Sequence, residues 1–271
     1  MSRRWRLPAP RTVIGMVHLG PLPGTPFHEE GTFEAIRDRA VASALALQEG
    51  GAHGCLVQTV DGVYSTEDES DPARTVAVGL IVDAVVRATS RRPGFQVGVQ
   101  LMYNALRDSL AVAKVAGGAF VRASALVGTT LSAHGVVTGN PLRTATYRRA
   151  INATDIGLVA EVDTMHFRWH GEPKPTGEVA RAAQRAGADA VAVSHPDESR
   201  ALEMVRSVRR SAPGLPVVLA GHTTHDNAAR LLAEADGAFV GSCLEPDGWG
   251  GAIDVERVRA YMDVVRAVER S

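Results

Sequence analysis

The chain has 271 residues, 45% of them hydrophobic and 22% charged, and a formal net charge of -1. A chain this long buries most of its apolar surface without disulfide or metal staples. Its near-neutral charge gives no sign of a nucleic-acid footprint or of a strongly acidic substrate held by bulk charge. The two cysteines, Cys55 and Cys243, lie far apart in apolar runs, which reads as two reduced core thiols rather than a disulfide framework or a zinc site.

The opening MSRRWRLPAPR is basic but has no apolar h-region, so it does not read as a signal peptide. No apolar run reaches the roughly 18 residues of a membrane span, and a cytoplasmic location is expected. Residues 1–12 are expected to form an arm, with Trp5 packed on the outside of the domain that residues 13–271 build.

From residue 13 on, short β-type apolar runs alternate with helical stretches. The runs cover 13–18 (VIGMVH), 55–60, 96–102, 119–124, 157–162, 189–194, 216–220 and 237–241. They are nearly continuous rather than alternating, the pattern of strands buried on both faces. Amphipathic helices are predicted over 33–49, 75–90, 107–116, 177–186, 198–211, 226–234 and 255–269, the first ended by Gly50-Gly51 as a C-cap. Eight strand-then-helix units with short returning turns predict a parallel sheet closed into a (β/α)8 TIM barrel. An open doubly wound sheet lacks support, because no Gly-rich dinucleotide fingerprint follows the first strand. The loops are asymmetric. Those leaving the strands are long, over 19–32, 61–74, 125–142 and 165–176, which puts a site at the C-terminal ends of the strands.

Polar side chains at those strand ends are the candidates. His18 ends the first strand; histidine is a residue type suited to proton transfer, so it either transfers protons or is a neutral, hydrogen-bonded rim residue. Gln58 and Asp61 follow on the second strand, Gln100 and Asn104 on the third. Arg122 stands inside an apolar fourth strand, where it needs a partner: a substrate anion or, preferably, an internal carboxylate such as Glu161. The fifth strand carries Glu161, Asp163 and His166 in VAEVDTMH. Strand alternation puts Glu161 and Asp163 on one side, facing inward, as a general acid/base pair or part of a metal site. His195 and His222 also fall at strand ends. A metal needs three such groups to converge, so no metal and no cofactor is predicted. After strands seven and eight, Gly221, His222, Gly241 and Ser242 fit a phosphate site, with a helix opening at Asp226-Asn227. The alternative is that the glycines serve tight turns.

Together these residues resemble the BtpA/SgcQ family, of the ribulose-phosphate-binding barrel type. The resemblance begins at 13–26 (VIGMVHLGPLPGTP) and spans nearly the whole chain. It includes Asn104, Phe120-Val121-Arg122, Gly135, Gly139 and Arg148, and then Glu161 and His166. It closes with Ala235-Asp236-Gly237, Val240-Gly241-Ser242, Asp247-Gly248 and the stretch from Ile253 to Val258. Departures cluster at the strand ends. Ala220-Gly221-His222 stands where the family prefers Gly-Ser-Gly, Met165 where it often has Lys, and Ser194-His195-Pro196 where it often has Ser-Gly. The acidic run from Glu67 to Asp71 is also peculiar to this chain. The resemblance implies a small, phosphorylated substrate and acid/base chemistry on a sugar phosphate, nucleotide or nucleoside: isomerisation, lysis or glycosidic cleavage. It equally implies a non-catalytic assembly protein of the photosystem I biogenesis type. A metal-dependent hydrolase is the third reading. Homo-oligomer formation stays open. Converging titratable groups, which a scaffold does not need, favour the enzyme.

Overall fold

The computed structural model describes residues 5–269; the first four residues of the expected arm and the last two of the chain lie outside the described residues. Eight parallel strands close into a barrel: β1 (Thr12–Leu19), β2 (Gly54–Thr59), β3 (Gln96–Gln100), β4 (Phe120–Ala123), β7 (Gly157–Asp163), β8 (Ala190–Val193), β9 (Val217–Ala220) and β10 (Gly237–Val240). Around them lie α1 (Phe33–Gly50), α2 (Pro72–Thr89), α3 (Leu106–Ala116), α4 (Pro141–Ala150), α5 (Thr176–Arg185), α6 (Glu198–Ser211), α7 (Ala228–Leu232) and α8 (Val255–Glu269). The protein is an α/β TIM barrel, as the alternation of runs predicts.

Two elements occupy stretches that the sequence leaves as loop. The strands β5 (Thr129–Ser132) and β6 (Gly135–Thr138) pair as an antiparallel hairpin after β4. The helix α4 follows. It buries only Thr144, and it is set by Pro141 in its first turn and by the Asn140 side chain, which accepts from Arg143 N at 3.0 Å. A helix fixed by its cap rather than by an apolar face leaves no periodic signal. In the other direction, α7 is shorter than the 226–234 expected, at five residues.

The core has two layers. One lies between the strands and the helices and includes Leu47, Cys55, Val78, Leu110, Val191 and Tyr261. The other fills the barrel lumen with Ile14, Met16, Leu56, Phe120, Val159, Ala190, Ala192, Val218, Ala220 and Phe239. Side chains two apart along a strand share a face, so these lumen residues set the parity for everything above them. Gly98 belongs to that set. A Cβ there would lie 2.2 Å from the Phe120 ring, so glycine is what lets phenylalanine fill the lumen.

The N-terminal end of the lumen is plugged, which corrects the expectation for Trp5. Its indole packs on Phe120 at 5.6 Å between centroids, and its Nε1 donates to Gln96 Oε1 at 2.8 Å. With Leu7 it joins the lumen cluster rather than the outer surface. A large aromatic ring gains more by sealing an apolar floor than by lying on the helices.

Candidate functional site

Continuing the lumen parity one step toward the C-terminal ends gives His18 above Met16, Gln58 above Leu56, Gln100 above Gly98, Arg122 above Phe120 and Glu161 above Val159. His18, Gln58 and Gln100 stand side by side in the β1–β2–β3 register. This polar tier floors a cavity of about 490 Å³ at the C-terminal mouth, a size usual for a small-molecule site. His18, Gln58 and Arg122 line it from below. His166, Gly221, His222, Gly241 and Ser242 line it from the loops after β7, β9 and β10.

Asp163 breaks the expected alternation. The β7–β8 register shifts between Glu161 and Asp163, a bulge that turns the second carboxylate away from the first. Asp163 instead accepts from Thr176 Oγ1, at the start of α5, at 2.9 Å, and the two do not form an inward pair. Four further candidates sit off the cavity wall. Asp61 is buried and accepts from Arg74 Nη2 at 2.6 Å. Asn104 ties its side chain to the backbone of Ala125, donating at 3.0 Å and accepting at 2.9 Å. His195 accepts at Nδ1 from Asp197 N at 2.9 Å. Gln100 is buried and donates to Ser124 Oγ at 3.1 Å.

Arg122 and Glu161 form the internal pair that the sequence favoured, with Nε and Oε1 3.0 Å apart. Neither atom has an aligned hydrogen bond, so the contact is an ion pair off the hydrogen-bond direction. Glu161 is only 1% exposed, and its other oxygen accepts from Thr164 Oγ1. It lies behind the arginine rather than on the cavity wall. The guanidinium stacks over Phe239 at 4.9 Å and makes no hydrogen bond to protein among the described residues. It is a fixed cation with unused donors at the cavity floor.

His18 Nδ1 lies 3.0 Å from Oε1 of Glu245, a buried carboxylate in the loop after β10. A carboxylate only accepts, so Nδ1 carries the proton and Nε2 is left as a base. Glu245 Oε2 accepts from Gly250 N at 3.0 Å. The same side chain therefore orients the histidine and straps down the loop that bears Trp249, whose ring lies 5.2 Å from that of His18.

The opposite wall is aromatic. Tyr64, Tyr103 and His134 line it, His134 coming from the turn of the β5–β6 hairpin and meeting Tyr64 edge-on at 4.9 Å. Burial pushes the Tyr103 hydroxyl up to about 12, with Glu161 adding to the shift, and the hydroxyl donates to the His166 carbonyl. Burial also lowers His166, with Glu161 opposing, and lowers His222, helped by His195. Both are held as neutral rings near neutrality. Burial raises the thiols of Cys55, to about 12, and Cys243, to about 11, so neither is a ready nucleophile.

Four histidines and one arginine thus line the cavity, and no carboxylate does so among the described residues. Nor do three His, Cys, Asp or Glu side chains converge closely enough among them to hold a metal ion. The helix expected to support a phosphate after β9 starts only at Ala228, too short to matter as a dipole. Instead the turn itself is unusual: Gly221 and His222 are both left-handed, at φ 97° and 58°. No helix among the described residues is long and apolar enough to cross a membrane.

Glu245, Trp249, Tyr64, Tyr103 and His134 escaped the sequence reading. An alternating TTLS-AH-GVVT around a Gly turn was the available signal for the hairpin and hence for His134. Nothing local marks Glu245 or Trp249.

Comparison with known proteins places the chain. The BtpA family model matches residues 9–267, and the chain belongs to that family. It is 31% identical over 259 residues, 93% of this chain and 87% of the other, to the photosystem I biogenesis protein BtpA of Synechocystis sp.. Among solved structures it superposes on phosphoribosyl anthranilate isomerase of Thermus thermophilus with a TM-score of 0.55 and 12% identity, covering 95% of this chain and 99% of that one. The 2-keto-3-deoxy-6-phospho-gluconate aldolase of Zymomonas mobilis gives 0.54 and 17%, covering 97% and 95%. These two likenesses establish the shared barrel fold.

Proposed function

We propose that this BtpA-family barrel is an acid/base enzyme acting on a small phosphorylated sugar, free or carrying a base. One observation carries the reading: the cavity is lined by a buried, hydrogen-bond-free arginine and four histidines, with no carboxylate among the described residues. Burying a cation is costly without a compensating anion, and Glu161 meets Arg122 only off-line. A bound phosphate or carboxylate completes that balance through charge-assisted hydrogen bonds.

In this reading Arg122 and Gln58 hold the substrate from the floor. Gly221, His222, Gly241 and Ser242 take the phosphate end. His18 is the base, its Nε2 drawing a proton from the substrate while Glu245 stabilises the imidazolium that results. His166, neutral at Nε2 or Nδ1, supplies or accepts the second proton. Glu161 is a positioning residue for Arg122. Asp61, Asp163, Asn104 and His195 take no part. Such general acid/base groups contribute roughly 10²–10⁴-fold each, which is the loss to expect from removing His18.

Two measurements test this. Pairs of sugars with and without phosphate, at about 1 mM, are compared by thermal shift; a ligand of about 10 µM dissociation constant stabilises by roughly 2.7 kcal/mol. Stabilisation by the phosphorylated member alone supports the reading, and equal or absent shifts contradict it. The best ligand is then incubated in D2O and followed by NMR. Loss of a substrate C–H signal, or appearance of product, that disappears in His18→Asn is the expected outcome. Unchanged turnover in that variant removes His18 from the mechanism.

A further inference from the structure

Resting on the proposed function, we infer that the cavity is completed by a flat heterocycle stacked on Trp249, so that the substrate is a phosphorylated sugar bearing a nucleobase. Trp249 is 64% exposed yet lines the cavity. It stands in Asp247-Gly248-Trp249-Gly250-Gly251, between glycines at φ 92° and 81°. The loop is not slack. Gly248 N donates to Glu245 O at 3.2 Å, Gly251 N to Gly248 O at 3.0 Å, and Gly250 N to the buried Glu245 carboxylate at 3.0 Å. The backbone is fixed and the indole is displayed.

A large apolar ring held out over a pocket forgoes the burial it would gain in a core. Its one ring neighbour among the described residues is His18, at 5.2 Å and a 41° tilt, which leaves most of the ring uncovered. Tyr64 offers a second aromatic side chain to the same cavity, its hydroxyl accepting from Gly62 N at 3.0 Å. Fixed aromatic faces beside a cationic floor suit a ligand that is anionic at one end and flat at the other. Bases stack on aromatic side chains whatever their sequence identity, because each has a π-face. The volume agrees: at about 490 Å³ the cavity leaves space unfilled by a bare pentose phosphate.

The strap gives the stacking a consequence. Glu245 holds both His18 Nδ1 and the Gly250 amide, so a heterocycle settling on Trp249 presses on the loop whose anchor orients the base. The sugar between heterocycle and phosphate then lies next to His18.

Calorimetric titration with ribose 5-phosphate and with adenosine and uridine 5′-monophosphates tests the inference on the wild type, Trp249→Ala and Trp249→Phe. The expected result is that a nucleotide binds the wild type about tenfold or more tighter than ribose 5-phosphate, the scale of one base–aromatic stack. Trp249→Ala abolishes that advantage without weakening ribose 5-phosphate, and Trp249→Phe retains most of it. The nucleotide also quenches the part of the tryptophan emission that the Phe variant lacks. If ribose 5-phosphate binds as tightly as either nucleotide, or Trp249→Ala weakens all three ligands equally, the heterocycle subsite is refuted and the sugar-phosphate reading survives. If none of the three binds, both are overturned.

Discussion

Two buried arginine–carboxylate pairs sit within the same rim and are built differently. Arg74 and Asp61 form a closed pair: Nη2 donates to Asp61 at 2.6 Å and to the Val63 carbonyl at 3.1 Å, and Asp61 stays off the cavity wall. Burial still pushes the Asp61 carboxyl up, with Arg74 only partly offsetting it. This pair therefore ties the loop after β2 to α2 without gaining much energy. Arg122 and Glu161 form an open pair, 3.0 Å apart, off the hydrogen-bond direction and facing the cavity. Burial alone does not mark a site. What distinguishes the second pair is that its arginine lines the cavity and makes no hydrogen bond to protein among the described residues, whereas Arg74 donates to Asp61 and to the Val63 carbonyl.

The largest expected effect separates the pairs outright. Arg122→Met strands Glu161 and Arg74→Met strands Asp61, and each costs about 3–5 kcal/mol of stability, because an uncompensated buried charge remains. Denaturant unfolding should find both losses. Only Arg122→Met should also lose the phosphorylated ligand; if Arg74→Met loses it equally, the distinction between the pairs falls. Next in size is Glu245→Gln, which keeps the strap to Gly250 but weakens the orientation of His18. Turnover should drop roughly 10²-fold or more with little change in ligand affinity. A change confined to affinity would make Glu245 a loop anchor only.

Smaller effects concern the histidines. His166 and His222 are shifted down by burial. Below their unfolded value, about 6.5, the unfolded chain takes protons that the folded chain refuses. Their contribution to stability is present above that pH and is lost as pH falls through the lowered folded values. An anionic ligand favours the protonated rings, so it should bind more tightly, and protect more, below about pH 6.5. Thermal melts at pH 5.5 and 7.5 with and without ligand check this; equal protection at both would show that the rings do not sense the anion. The smallest effect is at the β9 turn. His222→Gly relieves a left-handed non-glycine residue, a gain of about 1 kcal/mol, seen as a Tm rise of roughly 2–4 °C. It should weaken phosphate binding at the same time.

The barrel was legible because strands buried on both faces must be apolar throughout, and eight such runs leave little choice of architecture. His18, Gln58, Gln100, Arg122 and Glu161 were legible because polar groups in apolar runs stand out, and their parity brings all five into one tier. What stayed hidden depends on geometry that has no local signature. A one-residue bulge took Asp163 away from Glu161. The partner of His18 lies 227 positions along the chain. Trp5 reads as a surface residue until the lumen floor is seen to lack a plug. And α4 owes its helix to Asn140 and Pro141 rather than to an apolar stripe.

The central claim is that Arg122 is held ready for an anion. Single variants leave a stranded charge, so the direct test removes each pair whole, which is often neutral or stabilising. Calorimetric titration with the phosphorylated ligand from the thermal-shift comparison is run on Arg122→Met/Glu161→Leu and on Arg74→Met/Asp61→Leu, both shown folded by circular dichroism. The account predicts that the first binds at least a hundredfold more weakly than wild type and the second within a fewfold of it. Wild-type affinity in the first double variant would contradict the account.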